Sequence, residues 1–227
     1  MSCHPSTSLA GNQQKSRSHV IIQEASQGIW PTKLILIVYC HPYTHSFNHA
    51  VLTHLRKNLT DHGLHYQLID LYGDHFQPFY DIEELRLFHQ GQTHDPLVKH
   101  YLDQLKTAQG IIFVTPIWWN SVPGMLKGFI DKVMKEGDGL THTVTKTGVR
   151  GCLTNLKRAY VFTTSTSPTF WFLTTSGNSI QKIFINKTLK QLGIQKAKWY
   201  NFGNISHASK TQRDHYLVTC QKRPLLF

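Results

Sequence analysis

Residues 34–40 (LILIVYC) form an unbroken apolar run between Lys33 and His41-Pro42, which predicts a strand covered on both faces. The period then changes. Apolar residues at 47, 51, 52, 55 and 59 fall on one helical face over residues 46–59, with Ser46 placed to cap it. After the Gly63 breaker, residues 65–71 predict a second strand, and residues 81–108 carry helical stretches interrupted near Gly91 and Pro96. Residues 111–115 are a third buried strand, closed by Pro116. Val122, Met125, Leu126, Phe129, Ile130 and Val133 recur at three- and four-residue spacing, a helix with Ser121 as cap and Pro123 in its first turn. Residues 137–156 are rich in Gly and Thr and read as an irregular inserted loop. Residues 159–164 predict a fourth strand, 179–192 a helix, 197–202 a fifth strand, and the residues after Lys210 a last helix.

Strands that alternate with helices and do not alternate internally call for a parallel sheet covered on both sides. Five of them fit an α/β doubly wound sheet of order 2-1-3-4-5. Neither GxGxxG after the first strand nor GxxxxGK[ST] is present. Residues 1–30, rich in Ser, Gln and Gly, read as a flexible extension, and residues 31–227 as one domain. No apolar run approaches the roughly 18 residues of a membrane helix. Cys3, Cys40, Cys152 and Cys220 are scattered without zinc spacing, so a cytoplasmic protein with reduced thiols and no metal is expected.

Charge changes this picture in one respect. The net charge is +11, yet residues 1–140 are nearly balanced, while residues 141–227 hold 13 Lys and Arg against one acid, Asp214. Lys182, Lys187, Lys190, Lys196 and Lys198 make up part of that excess. A basic half of this kind is either a solvated face or a surface for an anionic partner: a phosphorylated cofactor, nucleic acid or an anionic membrane. Lysine dominates, and there is no RNP-type strand or recognition helix, so nucleic acid is not expected. Peripheral docking to a membrane remains compatible.

In a doubly wound sheet, ligands bind at the carboxyl ends of the strands. The loop after the first strand reads His41-Pro-Tyr-Thr44-His-Ser46-Phe-Asn48 and enters a helix N-terminus, where free amides, the helix dipole and two hydroxyls suit a phosphate. His41 and His45 are candidates for added charge. A capped helix after a Pro turn would look the same. The loop after the third strand, Pro116-Ile-Trp118-Trp119-Asn120-Ser-Val-Pro123, carries two tryptophans that either cover core or receive a flat ring.

Together, CHPYTHSFN and PIWWNSVPGMLKGFIDKV, in this order and separation, resemble the flavodoxin-like NAD(P)H:quinone oxidoreductase family. The resemblance implies a noncovalent flavin, FAD rather than FMN by the form of the first loop. His41, Thr44, Ser46, Phe47 and Asn48 would surround its phosphate and ribityl chain. Pro116, Ile117, Trp118, Trp119 and Asn120 would border the ring, as would Thr163, Thr164, Ser165 and Thr166 after the fourth strand. It further implies hydride transfer from NAD(P)H through the flavin to a quinone, and a homodimer; no catalytic side chain is assigned. Departures fall in the substrate pocket: Asn120 stands where an aromatic is frequent, Ser165-Thr166 where a Gly pair is usual, and Asp138-Gly139-Leu140 replace Phe-Ala-Tyr. His142 is the nearest polar substitute for the family's Tyr and His. The alternative within the same family is an ancillary, regulatory subunit of a potassium efflux system.

Overall fold

The structure, a computed structural model, describes residues 33–227. The expected extension over residues 1–30 lies outside them. Strand β1 (Leu34–Tyr39) is followed by α1 (Phe47–Asp61), β2 (His65–Asp70), α2 (Ile82–Phe88), α3 (Pro96–Thr107), β3 (Gly110–Pro116) and α4 (Gly124–Val133). A two-stranded antiparallel hairpin, β4 (His142–Thr145) and β5 (Gly148–Gly151), precedes β6 (Arg158–Thr164) and α5 (Thr169–Thr174). A π-helix (Ile180–Leu189), β7 (Ala197–Phe202) and α6 (Lys210–Lys222) complete the chain.

The main sheet has the order β2-β1-β3-β6-β7 with every pair parallel. This is the expected 2-1-3-4-5 order, with the hairpin inserted between its third and fourth strands. The three inner strands are apolar without alternation because both faces are covered. Leu36, Val38, Phe113 and Val161 pack under α3, α4 and the π-helix, whereas Ile35, Ile37, Val114 and Phe162 pack under α1 and α6.

Local chemistry explains the element ends. Ser46 lies in extended backbone and its hydroxyl accepts the His49 amide, so α1 starts as its sequence requires. Ser121, however, does not cap α4. It exchanges two backbone hydrogen bonds with Trp118 (3.0 Å each), and α4 begins instead behind Pro123, without a side-chain cap. Residues 137–156 are also more regular than expected, since 142–151 pair as a hairpin and Leu153 and Leu156 are buried. In the expected helix over 179–192, the buried positions 180, 184, 185 and 189 lie four to five residues apart, and the backbone follows that wider period as a π-helix.

One internal tie involves full charges. Lys135 Nζ meets Glu84 Oε1 at 2.5 Å with both side chains fully buried, and Glu84 Oε2 accepts from Thr93 Oγ1 (2.9 Å) and the His94 amide (3.3 Å). The ammonium also lies over the Tyr80 and Phe88 rings at 5.9 and 5.6 Å. The pair joins α2 to the segment leaving α4.

Candidate functional site

The carboxyl ends of β1, β3 and β6 converge on a cleft of about 200 Å³ lined by His41, Ser46, Phe47, Asn48, Pro116, Ile117, Trp118, Thr164, Ser165, Thr166 and Ile205. The strand-end register brings these loops together: Tyr39 pairs with Val114, and Pro116 with Thr164. The Ile117 amide donates to the Thr164 carbonyl at 2.8 Å, clamping the second and third loops side by side.

Asn48 occupies the first turn of α1 and is 3% exposed. Its Nδ2 donates to Thr164 Oγ1 at 2.7 Å, whereas Oδ1 is buried without a hydrogen-bond partner. A buried polar atom left unpaired costs roughly 1–3 kcal/mol, so this carbonyl is poised for a donor from outside the protein. The Ser46 cap satisfies the His49 amide, and helix geometry leaves the Phe47 and Asn48 amides directed out of the N-terminus. An acceptor beside a cluster of N–H donors at the positive end of a helix matches a molecule that carries both hydroxyls and an anionic phosphate.

His41 does not supply the charge its sequence position offered. Its Nδ1 accepts the Tyr43 amide (3.1 Å), which leaves Nε2 to carry the ring proton, and burial holds its pKa below the ordinary value. At neutral pH it is a neutral ring set edge-on to Trp118, centroids 6.1 Å apart.

Four expected residues do not line the cleft. Thr44 is exposed on the loop. Trp119 and Asn120 form a tight turn between Trp118 and Ser121, both with positive φ (49° and 60°), a conformation unfavourable for a bulky residue. That turn carries the Trp119 ring out of the fold, 98% exposed, and the Ser179 hydroxyl donates to the Asn120 carbonyl. Thr163 points to the other side of β6. There it accepts Trp199 Nε1 (2.8 Å) and donates to Asn201 Oδ1 (2.8 Å), while Asn201 Nδ2 donates to Ser165 Oγ and Thr169 Oγ1 (3.0 Å each). Thr163 thus holds the third loop from behind. His142 also lies elsewhere, in a separate cleft of about 290 Å³ with Phe88, Met134 and Gln191, its pKa lowered by burial.

Two contributors were not anticipated. Ile205 closes the cleft from the turn after β7, and Asn201 organises the Ser165 loop. The exit of the fifth strand lies on the same rim as the other three, so its loop was a candidate by topology, but it carries no hydroxyl–aromatic motif.

A doubly wound sheet with a cleft at the carboxyl ends of its strands is the α/β architecture in which ligands bind at the switch point. The profile of a family described as a flavodoxin-like fold matches residues 33–223, and the chain belongs to that family. The chain is 26% identical over 172 residues to an uncharacterized NAD(P)H oxidoreductase of Haemophilus influenzae, covering 75% of this chain and 83% of that protein. It is 31% identical over 121 residues to a ribosyldihydronicotinamide dehydrogenase [quinone] of Pongo abelii, covering 46% of this chain and about half of the relative (52%). A 74-residue stretch is 38% identical to the FMN-dependent NADH:quinone oxidoreductase of Mycoplasma genitalium, covering 32% of this chain and 37% of that protein.

Proposed function

We propose that this chain is a flavin-dependent NAD(P)H oxidoreductase that passes two electrons to a quinone or a similar electrophile. The observation that carries this reading is the unpartnered Asn48 Oδ1 beside the open N-terminus of α1, inside a cleft built from three strand ends. A flavin bound there would supply the redox chemistry, taking hydride from a nicotinamide and delivering it to the acceptor. The protein's part is to bind, orient and exclude water. Asn48 Oδ1 would accept from a ribityl hydroxyl, and the Phe47 and Asn48 amides with the Ser46 hydroxyl would hold the phosphate. The segment from Pro116 to Trp118 and the loop from Thr164 to Thr166 would border the ring, and Thr163 would fix the latter loop. The form of the first loop favours FAD, while the Mycoplasma relative is FMN-dependent by name, so both flavins belong in the assay.

At about 200 Å³ the cleft is smaller than a usual cofactor pocket, and its rim carries exposed Trp119, Phe170 and Trp171. Both features support a homodimer in which the partner supplies the missing wall. Light scattering that returned a monomer in the flavin-loaded state would remove that part of the reading.

The deciding experiment is an absorbance spectrum of protein incubated with FMN or FAD, followed by anaerobic NADPH or NADH and then a quinone. Flavin bands bleached by the nicotinamide and restored by the quinone are the expected result. A flavin that binds and stays oxidised would turn the reading to a regulatory subunit, and a protein that takes up neither flavin would end it.

A further inference from the structure

The strongest feature outside the cleft lies at the opposite, amino end of the sheet. Arg158 at the start of β6, Lys196 and Lys198 at the start of β7, and Lys190 at the end of the π-helix line a groove of about 360 Å³ with Asn186 and Gln195 and no carboxylate. Lys157, immediately before β6, is exposed beside it. Among the described residues none of these five cations takes part in a salt bridge. The single acid of residues 141–227, Asp214, is engaged by Lys210 on α6 (2.8 Å). Helix C-termini attract cations, and Lys190 answers that need. Lys157, Arg158, Lys196 and Lys198 sit at strand starts beside the C-termini of α3 and the π-helix, whose dipoles favour cations but do not call for a run of five without a carboxylate.

β6 has seven residues, so this groove and the cleft are separated by roughly 20 Å along the strand. That is more than twice the screening length of about 8 Å at physiological salt, which removes these charges from any role toward a ligand in the cleft.

We propose that this end of the molecule docks on the surface of an anionic lipid bilayer. Four of the five cations are lysines, compact charges suited to a diffuse anionic surface rather than to bidentate recognition. An exposed aliphatic side chain also lies at this end: Leu226 is 64% exposed, and its amide donates to the Tyr160 hydroxyl of β6. Among the described residues the exposed aromatic rings, Tyr43, Phe79, Trp118, Trp119, Phe170 and Trp171, lie on segments leaving the carboxyl ends of strands, and none of them offers bases a stacking platform beside the groove. Charge and a shallow aliphatic contact together fit a bilayer better than a nucleic acid.

The test is co-sedimentation of the full chain, independent of its flavin content, with vesicles of phosphatidylcholine alone or phosphatidylcholine mixed with phosphatidylserine. Binding to the mixed vesicles only, falling as salt is raised, is expected. Lys190→Gln, Lys196→Gln and Lys198→Gln together should weaken it roughly 100-fold, about fivefold per charge. The Lys190→Arg, Lys196→Arg, Lys198→Arg variant should retain it, which separates charge from misfolding. Equal binding to both vesicles, no binding to either, or insensitivity to salt would overturn the proposal. So would a stronger affinity for duplex DNA than for the mixed vesicles, or displacement from them by inorganic phosphate, each of which assigns the groove to another anion.

Discussion

Asn48, which lines the cleft, bonds through one side of its amide and leaves the other buried and unsatisfied. Asn48→Ala removes the bond to Thr164 and the waiting acceptor together. It should lower stability by about 1 kcal/mol and weaken flavin affinity on the order of tenfold, the first read by urea titration and the second by quenching of flavin fluorescence. His41 and His142 give a pH signature. Burial lowers both below the ordinary histidine value of 6.5. Above that value the rings are neutral in folded and unfolded chains alike; below it the unfolded chain takes up protons that the folded one refuses. Stability is therefore full above pH 6.5 and is lost as pH falls toward the folded values. Replacing both with Gln should flatten that limb of a urea-midpoint profile. At this scale the sequence was legible where a residue type has one use. Ser46, at a helix start, was read correctly as a cap, but whether Thr163 or Thr164 faces the cleft depends on which side of β6 each side chain leaves.

Among elements, the Glu84–Lys135 pair is the sharpest case, because it ties α2 to the end of α4 with both charged side chains fully buried. Lys135→Met alone leaves a buried carboxylate unpaired and should cost about 3–5 kcal/mol in chemical denaturation. Adding Glu84→Leu should recover most of that loss, a non-additivity that marks a coupled pair. Helix and strand identities were readable from period alone: the buried inner strands and the one-faced α1 and α4 leave no other choice. The hairpin over 142–151 was not, because its residues are mostly exposed and polar and carry no apolar alternation to read. The π-helix was missed for a different reason: its buried positions sit close enough to a helical spacing that only backbone hydrogen bonds separate the two.

For the whole molecule, strand order and the position of the cleft followed from the alternation of elements, since parallel strands joined by right-handed crossovers admit few topologies. What did not follow was how closely the loops approach, which depends on the tie from Ile117 to Thr164 and on Ile205, a residue from the far edge of the sheet. A ligand that binds only the folded form adds about 2.7 kcal/mol at a hundredfold excess over its Kd. For a chain of this length that corresponds to a rise in Tm of roughly 5–10 °C. A melting scan with FMN, FAD and no addition should show the shift for the flavin that fits, and no shift with riboflavin if the phosphate grip at α1 dominates.

The turn that carries Trp119 has a consequence of a different kind. An indole in water emits at longer wavelength than one packed like Trp199, whose Nε1 is bonded to Thr163. Among the described tryptophans Trp119 is the most exposed, ahead of Trp118 and Trp171, so its emission contributes to the red edge of the ultraviolet fluorescence, and flavins absorb in that range. Titrating flavin into the protein should dim the red edge first and leave a residual spectrum centred further to the blue. The molecule carries its own optical gauge of occupancy, placed there by a strained turn of the backbone.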